Sequence, residues 1–243
     1  MDTVKISAGN TKMIAHRGAS GLECENTAAA FVAAGNRSYF GIETDVHRTS
    51  DGKYVIIHDD DTGRISKSKL SVEESSFKAL RELRLRDRFG RERADLCLPS
   101  LCEYLRVCSS YEKTGVLELK NPFEKADIKN ILAIVKEEYT TEKLIFISFD
   151  YKNLVYLREL SENLTLQYLC ACKVDEELTE KLKRYNFDLD IENSFLTKQD
   201  IGMLHENGIT VNCWTVDDKR RAEELVAWNV DYITTNILES DGK

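Results

Sequence analysis

ETDVHRTSDGKYVIIHD, residues Glu43–Asp59, holds two β-like runs where a barrel of alternating strands and helices has room for one. The first, Gly41–Val46, and the second, Lys53–Asp59, are joined by only a few residues. A parallel crossover needs roughly a dozen residues or more, so the two runs cannot be neighbouring parallel strands. Ser50-Asp51-Gly52-Lys53 is instead a hairpin signal, and the second run reads as a return arm rising from the top of the first. A turn centred on Asp51-Gly52 sets Asp45 opposite His58.

With that arm removed from the count, eight runs remain: Met13–His16, Gly41–Val46, Gly115–Lys120, Leu144–Phe149, Thr165–Cys170, Phe187–Glu192, Ile209–Thr215 and Asp231–Thr235. Helical patterns such as KADIKNILAIVKEEY and KRRAEELVAW separate them. Eight strands alternating with helices predict a (β/α)8 TIM barrel. The expectation is one domain over residues 1–243, with a hairpin and small insertion at about 46–98. The segment from Asp60 to Leu98 is highly charged, and a helix near Pro99-Ser100 closes it.

The chain has 243 residues, 42% of them hydrophobic, which is ordinary for one such barrel. Its net charge of −8 argues against nucleic acid as a partner. No window approaches the length of a membrane-spanning helix, and MDTVKISAGNTK lacks the apolar run of an export signal. Seven cysteines, an odd number without metal-ligand spacing, read as reduced thiols that pack as small apolar groups. The expected setting is the cytoplasm, without stable membrane insertion. Oligomeric state stays open.

Active sites of this architecture gather where the strands end. The first strand ends in His16-Arg17. The second carries Glu43 and Asp45, two apart and therefore on one face. Glu118 and Lys120 form such a pair on the third, His58 ends the hairpin's return arm, and Trp214 lies near the end of the seventh. Each alone has an ordinary structural explanation: an ion pair, a satisfied histidine, a core indole. Two carboxylates that point together repel unless a cation lies between them. Three carboxylates suit a hard divalent cation, Mg²⁺ or Ca²⁺, and not structural zinc. Arg17 offers forked hydrogen bonds to a phosphate and Lys120 a point charge. His16 and His58 supply a proton acceptor and a donor near neutral pH.

These residues sit in an ordered series that resembles the glycerophosphodiester phosphodiesterases: HRG at His16–Gly18, ENT at Glu25–Thr27, ETDVHRTSDG at Glu43–Gly52 and VIIHDD at Val55–Asp60. LPSLCEYL at Leu98–Leu105, LELKNP at Leu117–Pro122 and VNCWTVDD at Val211–Asp218 continue it. The resemblance implies that His16 and His58 are the general acid/base pair and that Glu43, Asp45 and Glu118 bind a divalent cation. It implies phosphate contacts for Arg17 and Lys120, and a site wall at Trp214. It further implies attack by a glycerol hydroxyl to form a cyclic phosphate, which water opens to sn-glycerol 3-phosphate and an alcohol such as choline. Three positions depart from the family pattern. Cys24 replaces a proline, Ser38-Tyr39-Phe40 replaces Gly-Ala-Asp, and Thr235-Asn236 replaces Thr-Asp. His47 is expected beside the ligands, and His205 to be structural.

A barrel glycosidase using two of Glu43, Asp45 and Glu118 leaves Arg17, Lys120 and both histidines without work. A non-catalytic barrel leaves the whole set unexplained. The rival within the family is a lysophospholipase D-type activity on lysophospholipids. It calls for an apolar mouth, whereas the insertion is mostly charged.

Overall fold

A computed structural model describes residues 2–242. Among them eight parallel strands close into a ring: β1 (Lys12–Ala15), β2 (Gly41–Arg48), β3 (Thr114–Leu119), β4 (Leu144–Ser148), β5 (Thr165–Cys170), β6 (Asp188–Glu192), β7 (Val211–Trp214) and β8 (Tyr232–Thr235). Sequence neighbours pair in order, and both β8 and β2 pair with β1, which closes the barrel. The (β/α)8 architecture is the one expected from the alternating pattern.

Helices α1 (Ala28–Gly35), α2 (Leu101–Ser110), α3 (Lys125–Glu138), α4 (Tyr151–Leu160), α5 (Glu176–Lys183), α6 (Lys198–Glu206) and α7 (Lys219–Ala227) follow the first seven strands. Most start on a side chain that accepts a hydrogen bond from a first-turn N–H. Ser100 with Glu103, and Thr197 with Asp200, form reciprocal capping boxes. No helix among the described residues follows β8. The chain instead lays Leu238–Ser240 in parallel beside Val4–Ile6.

Side chains alternate between two apolar layers. Ile14, Val116, Ile145, Ile147 and Leu169 fill the barrel interior with Trp214 and Tyr232. Ile42, Val46, Leu117 and Leu119 face outward into the larger core beneath the helices. Glu43, Asp45 and Glu118 have the opposite parity, so the pleat turns them inward. Among the described residues, no helix is long and apolar enough to cross a membrane.

The hairpin forms, but one residue out of the expected register. β2 pairs antiparallel with Tyr54–Ile56 through Val46–Ile56, His47–Val55 and Arg48–Tyr54. Asp45 therefore faces Ile57, whose N–H donates to the Asp45 carbonyl at 3.1 Å, and not His58. The cause is the loop. Ser50-Asp51-Gly52 makes a three-residue connection closed by Thr49 N–H to the Lys53 carbonyl at 2.8 Å, with Gly52 left-handed at φ +72°. A one-residue slip exchanges the faces of the return arm. Ile57 thus enters an apolar cluster with Val55, Val72, Leu80, Leu96 and Leu98, packed against Cys24. His58 lies beyond the ladder, where a bend rather than the pleat aims it. The insertion, charged outside, has this small core of its own.

Candidate active site

The register between β2 and β3 sets Asp45 directly beside Glu118, and Glu43 lies two residues earlier on the same face. One oxygen from each of the three carboxyls lies within 4.8 Å of the others, and the residues are 2%, 1% and 7% exposed. Asn26 Nδ2 donates to Asp45 Oδ2 at 2.7 Å, and the Arg17 N–H to Glu43 Oε2 at 2.7 Å. Lys120 Nζ stands 2.9 Å from Glu118 Oε1 and 3.5 Å from Asp45 Oδ1, ion-pair distances without hydrogen-bond alignment. Asp45 Oδ1 and Glu118 Oε1 consequently remain buried without a hydrogen-bond partner.

Electrostatics follow from that crowding. Burial, then the Asp45 and Glu118 charges, push Glu43 well above the usual carboxylate range. Burial and Asp45 push Glu118 up to about 8. Burial acts the same way on Asp45, but the cations of Lys120 and Arg17 outweigh it and hold that carboxyl low. Two of the three therefore ionise reluctantly until further positive charge arrives. Buried oxygens without a hydrogen-bond partner on Asp45 and Glu118, converging with Glu43, fit a hard divalent cation.

Arg17 and Gly18 are consecutive left-handed residues (φ +54° and +77°) that turn the chain sharply off the end of β1. A Cβ on Gly18 would lie 2.7 Å from the Ala30 backbone, so only glycine fits there. Strain at a non-glycine residue such as Arg17 is characteristic of functional turns. Its guanidinium meets Glu25 at 2.9 Å and Asp45 at 3.5 Å.

His16 Nδ1 lies 2.8 Å from Asn236 Oδ1. Asn236 Nδ2 is committed to Asp217 Oδ2 at 2.6 Å, so its oxygen accepts and the network assigns His16 the Nδ1–H tautomer. Nε2 is then the free acceptor. Burial, aided by Arg17, pulls the imidazole down to about 4. In the metal-free protein this links stability to pH. Above about 6.5 neither state takes the proton; between about 6.5 and 4 the unfolded chain takes it and folded His16 does not. The histidine's contribution therefore falls with acidification by roughly 1.4 kcal/mol per pH unit. Urea melts at pH 7 and pH 5 should show the parent losing about 2 kcal/mol more than His16→Gln. Equal losses would remove His16 as the source.

His58 Nδ1 meets Asp59 Oδ1 at 2.6 Å. Arg64 then joins two carboxylates, with Nε on Asp59 at 2.6 Å and both terminal nitrogens on Glu25 at 2.7 Å. One arginine thus ties the group behind His58 to the group that orients Arg17. Burial lowers the His58 pKa, against the pull of Asp45. His47 is fully buried but stands behind the site, its Nε2 3.3 Å from the His58 carbonyl. His205 pairs with Asp231 at 2.8 Å.

His16, Arg17, Glu43, His58, Glu118, Lys120 and Trp214 line one small cavity of about 90 Å³, and Asp45 joins it through its cluster with Glu43 and Glu118. Phe149 packs edge-to-face on Trp214, with ring centres 5.7 Å apart. A larger hollow of about 760 Å³ beside Tyr151 and Lys181 lacks such chemistry. All eight sequence candidates thus come together. Sequence reasoning assigned no role to Glu25, Asn26, Asp59, Arg64, Asp190 or Asn236. Glu25 and Asn26 lay within a quoted motif, and Asn236 stood out as a departure from one; Arg64 and Asp190 carried no signal.

The model of the glycerophosphoryl diester phosphodiesterase family matches residues 16–240. A glycerophosphodiester phosphodiesterase of Caldanaerobacter subterraneus subsp. tengcongensis is 29% identical, over 95% of this chain and 96% of its own. A putative glycerophosphodiester phosphodiesterase of Bacillus subtilis is 28% identical, over 95% and 98%. Among solved structures, an Oleispira antarctica phosphodiesterase in complex with the product sn-glycerol-3-phosphate superposes with a TM-score of 0.84 at 27% identity, covering 95% of this chain and 96% of that one. The chain belongs to the glycerophosphoryl diester phosphodiesterase family. It is an enzyme of that class, a phosphoric diester hydrolase.

Proposed function

We propose that this enzyme hydrolyses water-soluble glycerophosphodiesters to sn-glycerol 3-phosphate and an alcohol, with a divalent cation and two histidines, as one catalytic domain. The observation that carries the reading is the cluster of Glu43, Asp45 and Glu118 at a cavity that His16, His58, Arg17 and Lys120 also line. A Mg²⁺ or Ca²⁺ ion held by the three carboxylates would draw negative charge from the phosphoryl oxygens. Arg17 and Lys120 bind and orient the phosphate. His16, with Nε2 free and its other nitrogen on a neutral amide, takes the proton from the attacking glycerol hydroxyl. His58, backed by the Asp59 carboxylate, gives one to the leaving alcohol. Water then opens the cyclic phosphate with the two roles exchanged. The small cavity and the arginine-bearing insertion beside it favour a soluble diester over a lysophospholipid. Seven free thiols suit a reducing cytoplasm.

The test is turnover of glycerophosphocholine and glycerophosphoethanolamine with Mg²⁺ or Ca²⁺, followed by phosphorus NMR. Release of sn-glycerol 3-phosphate, with a transient cyclic phosphate in single-turnover samples, is the expected result. Phosphocholine as product would mean cleavage on the other side of phosphorus and would overturn the assignment.

A further inference from the structure

The cavity is lopsided. Its β1–β3 side carries the two histidines, the cations and Glu43 and Glu118 of the carboxylate cluster, whereas Ile147, Phe149, Leu169 and Trp214 make the β4–β7 side apolar. One carboxyl interrupts that apolar half. Asp190 on β6 lines the cavity, is 1% exposed, and leaves Oδ1 buried with no hydrogen-bond partner among the described residues. Among the interior polar groups on neighbouring strands, Asn212 donates to Gln167 at 3.1 Å and accepts from Thr234 at 3.2 Å, while Gln167 leaves its Nε2 without a partner among the described residues. Asp190 is not part of the three-carboxylate cluster. Its backbone carbonyl accepts from the Trp214 indole at 3.3 Å, which ties the strand to the aromatic wall of the cavity that both residues line.

A buried carboxyl without a partner is costly to the fold, and in a ligand cavity it is best explained by a ligand group that completes it. The reading above assigns the phosphate to Arg17 and Lys120 and the attacking hydroxyl to the histidine side. Glycerol has one hydroxyl left, the terminal one, two carbons from the phosphorylated carbon. That hydroxyl belongs to the half of the substrate that stays the same whatever the alcohol, so a rigid buried group suits it; the variable alcohol suits the open rim. We propose that Asp190 holds the terminal hydroxyl of the glycerol moiety and so selects glycerol diesters from other phosphodiesters. The inference rests on the phosphodiesterase reading and adds to it a specificity residue outside the metal and acid/base set. A carboxyl can hydrogen-bond an alcohol in either protonation state, so the contact does not depend on titration.

The experiment compares glycerophosphocholine with its analogue in which the terminal CH₂OH is CH₃, the hydroxyl beside the phosphate being kept. The parent enzyme should prefer glycerophosphocholine by roughly 10- to 10²-fold in kcat/KM, the cost of leaving one buried hydrogen-bonding group without its partner. In Asp190→Leu that ratio should collapse toward one, while Asp190→Asn, whose amide still bonds an alcohol, should keep part of it. Asp190→Leu should melt no lower than the parent, because an unpaired buried polar group has been replaced by an apolar one. A parent that cleaves both substrates equally, or an Asp190→Leu variant that loses activity on both in proportion, overturns the assignment of Asp190 alone. A parent that cleaves neither overturns the phosphodiesterase reading and this inference with it.

Discussion

His16→Ala and His58→Ala are each expected to lower turnover by roughly 10²–10⁴-fold, the usual contribution of a positioned general acid or base. Divalent-cation affinity should stay near that of the parent. The two residues reach the cavity from different elements, the end of β1 and the end of the hairpin's return arm, so they can address opposite sides of a phosphorus centre. Their nitrogens are prepared differently. His16 rests on Asn236, a neutral amide, at 2.8 Å; His58 rests on Asp59, a carboxylate, at 2.6 Å. A carboxylate partner stabilises the imidazolium, and an amide acceptor fixes the neutral tautomer. A nitrophenyl ester of glycerol phosphate separates the roles, because its leaving group departs without a proton. His58→Ala should recover most of its lost rate on that substrate and His16→Ala should not. Stopped-flow or steady-state kcat on the two substrates, with calorimetry for the metal, reads out both claims. Near-parental turnover in folded His58→Ala would refute the two-histidine mechanism, and recovery in His16→Ala instead would reverse the roles.

Removing divalent cations is expected to abolish turnover, and Mg²⁺ or Ca²⁺ to restore it. The same ion should stabilise the protein by about 2.7 kcal/mol at a hundred times its Kd, or about 5–10 °C in melting temperature for a chain of this size. Glu43→Gln should lose that shift. The metal-free variant should nonetheless melt no lower than the metal-free parent, since the substitution removes a carboxyl that burial and two neighbouring carboxyls already disfavour as an anion. Affinity should rise from pH 6 to pH 8, because the ion needs Glu118 deprotonated and that carboxyl titrates at about 8 without it. Full activity after exhaustive dialysis against chelator would sink the metal site. A Glu43→Gln variant that keeps the melting shift would move the ion elsewhere.

The sequence alone was enough for the barrel, because strand and helix periods are local properties and the eight-fold alternation survives any error of one or two residues at an element's end. It was enough for Glu43 and Asp45 sharing a face, since the two-residue period of a strand dictates it. Motif order along the chain was enough for the family. Three things waited for the tertiary structure. The hairpin register depended on whether Asp51-Gly52 or Ser50-Asp51-Gly52 formed the loop, a choice made by left-handed Gly52 and by burial of Ile57 in the insertion's core. Convergence of Asp45 with Glu118 required the β2–β3 register, set across 72 residues of intervening chain. Arg64 bridging Asp59 to Glu25, Asn236 beneath His16 and Asp190 in the cavity wall join residues far apart in the chain, or turn inward a residue whose neighbours look like any amphipathic strand. Local patterning decides which face a side chain takes. Only closure of the barrel and docking of the insertion decide what that face meets.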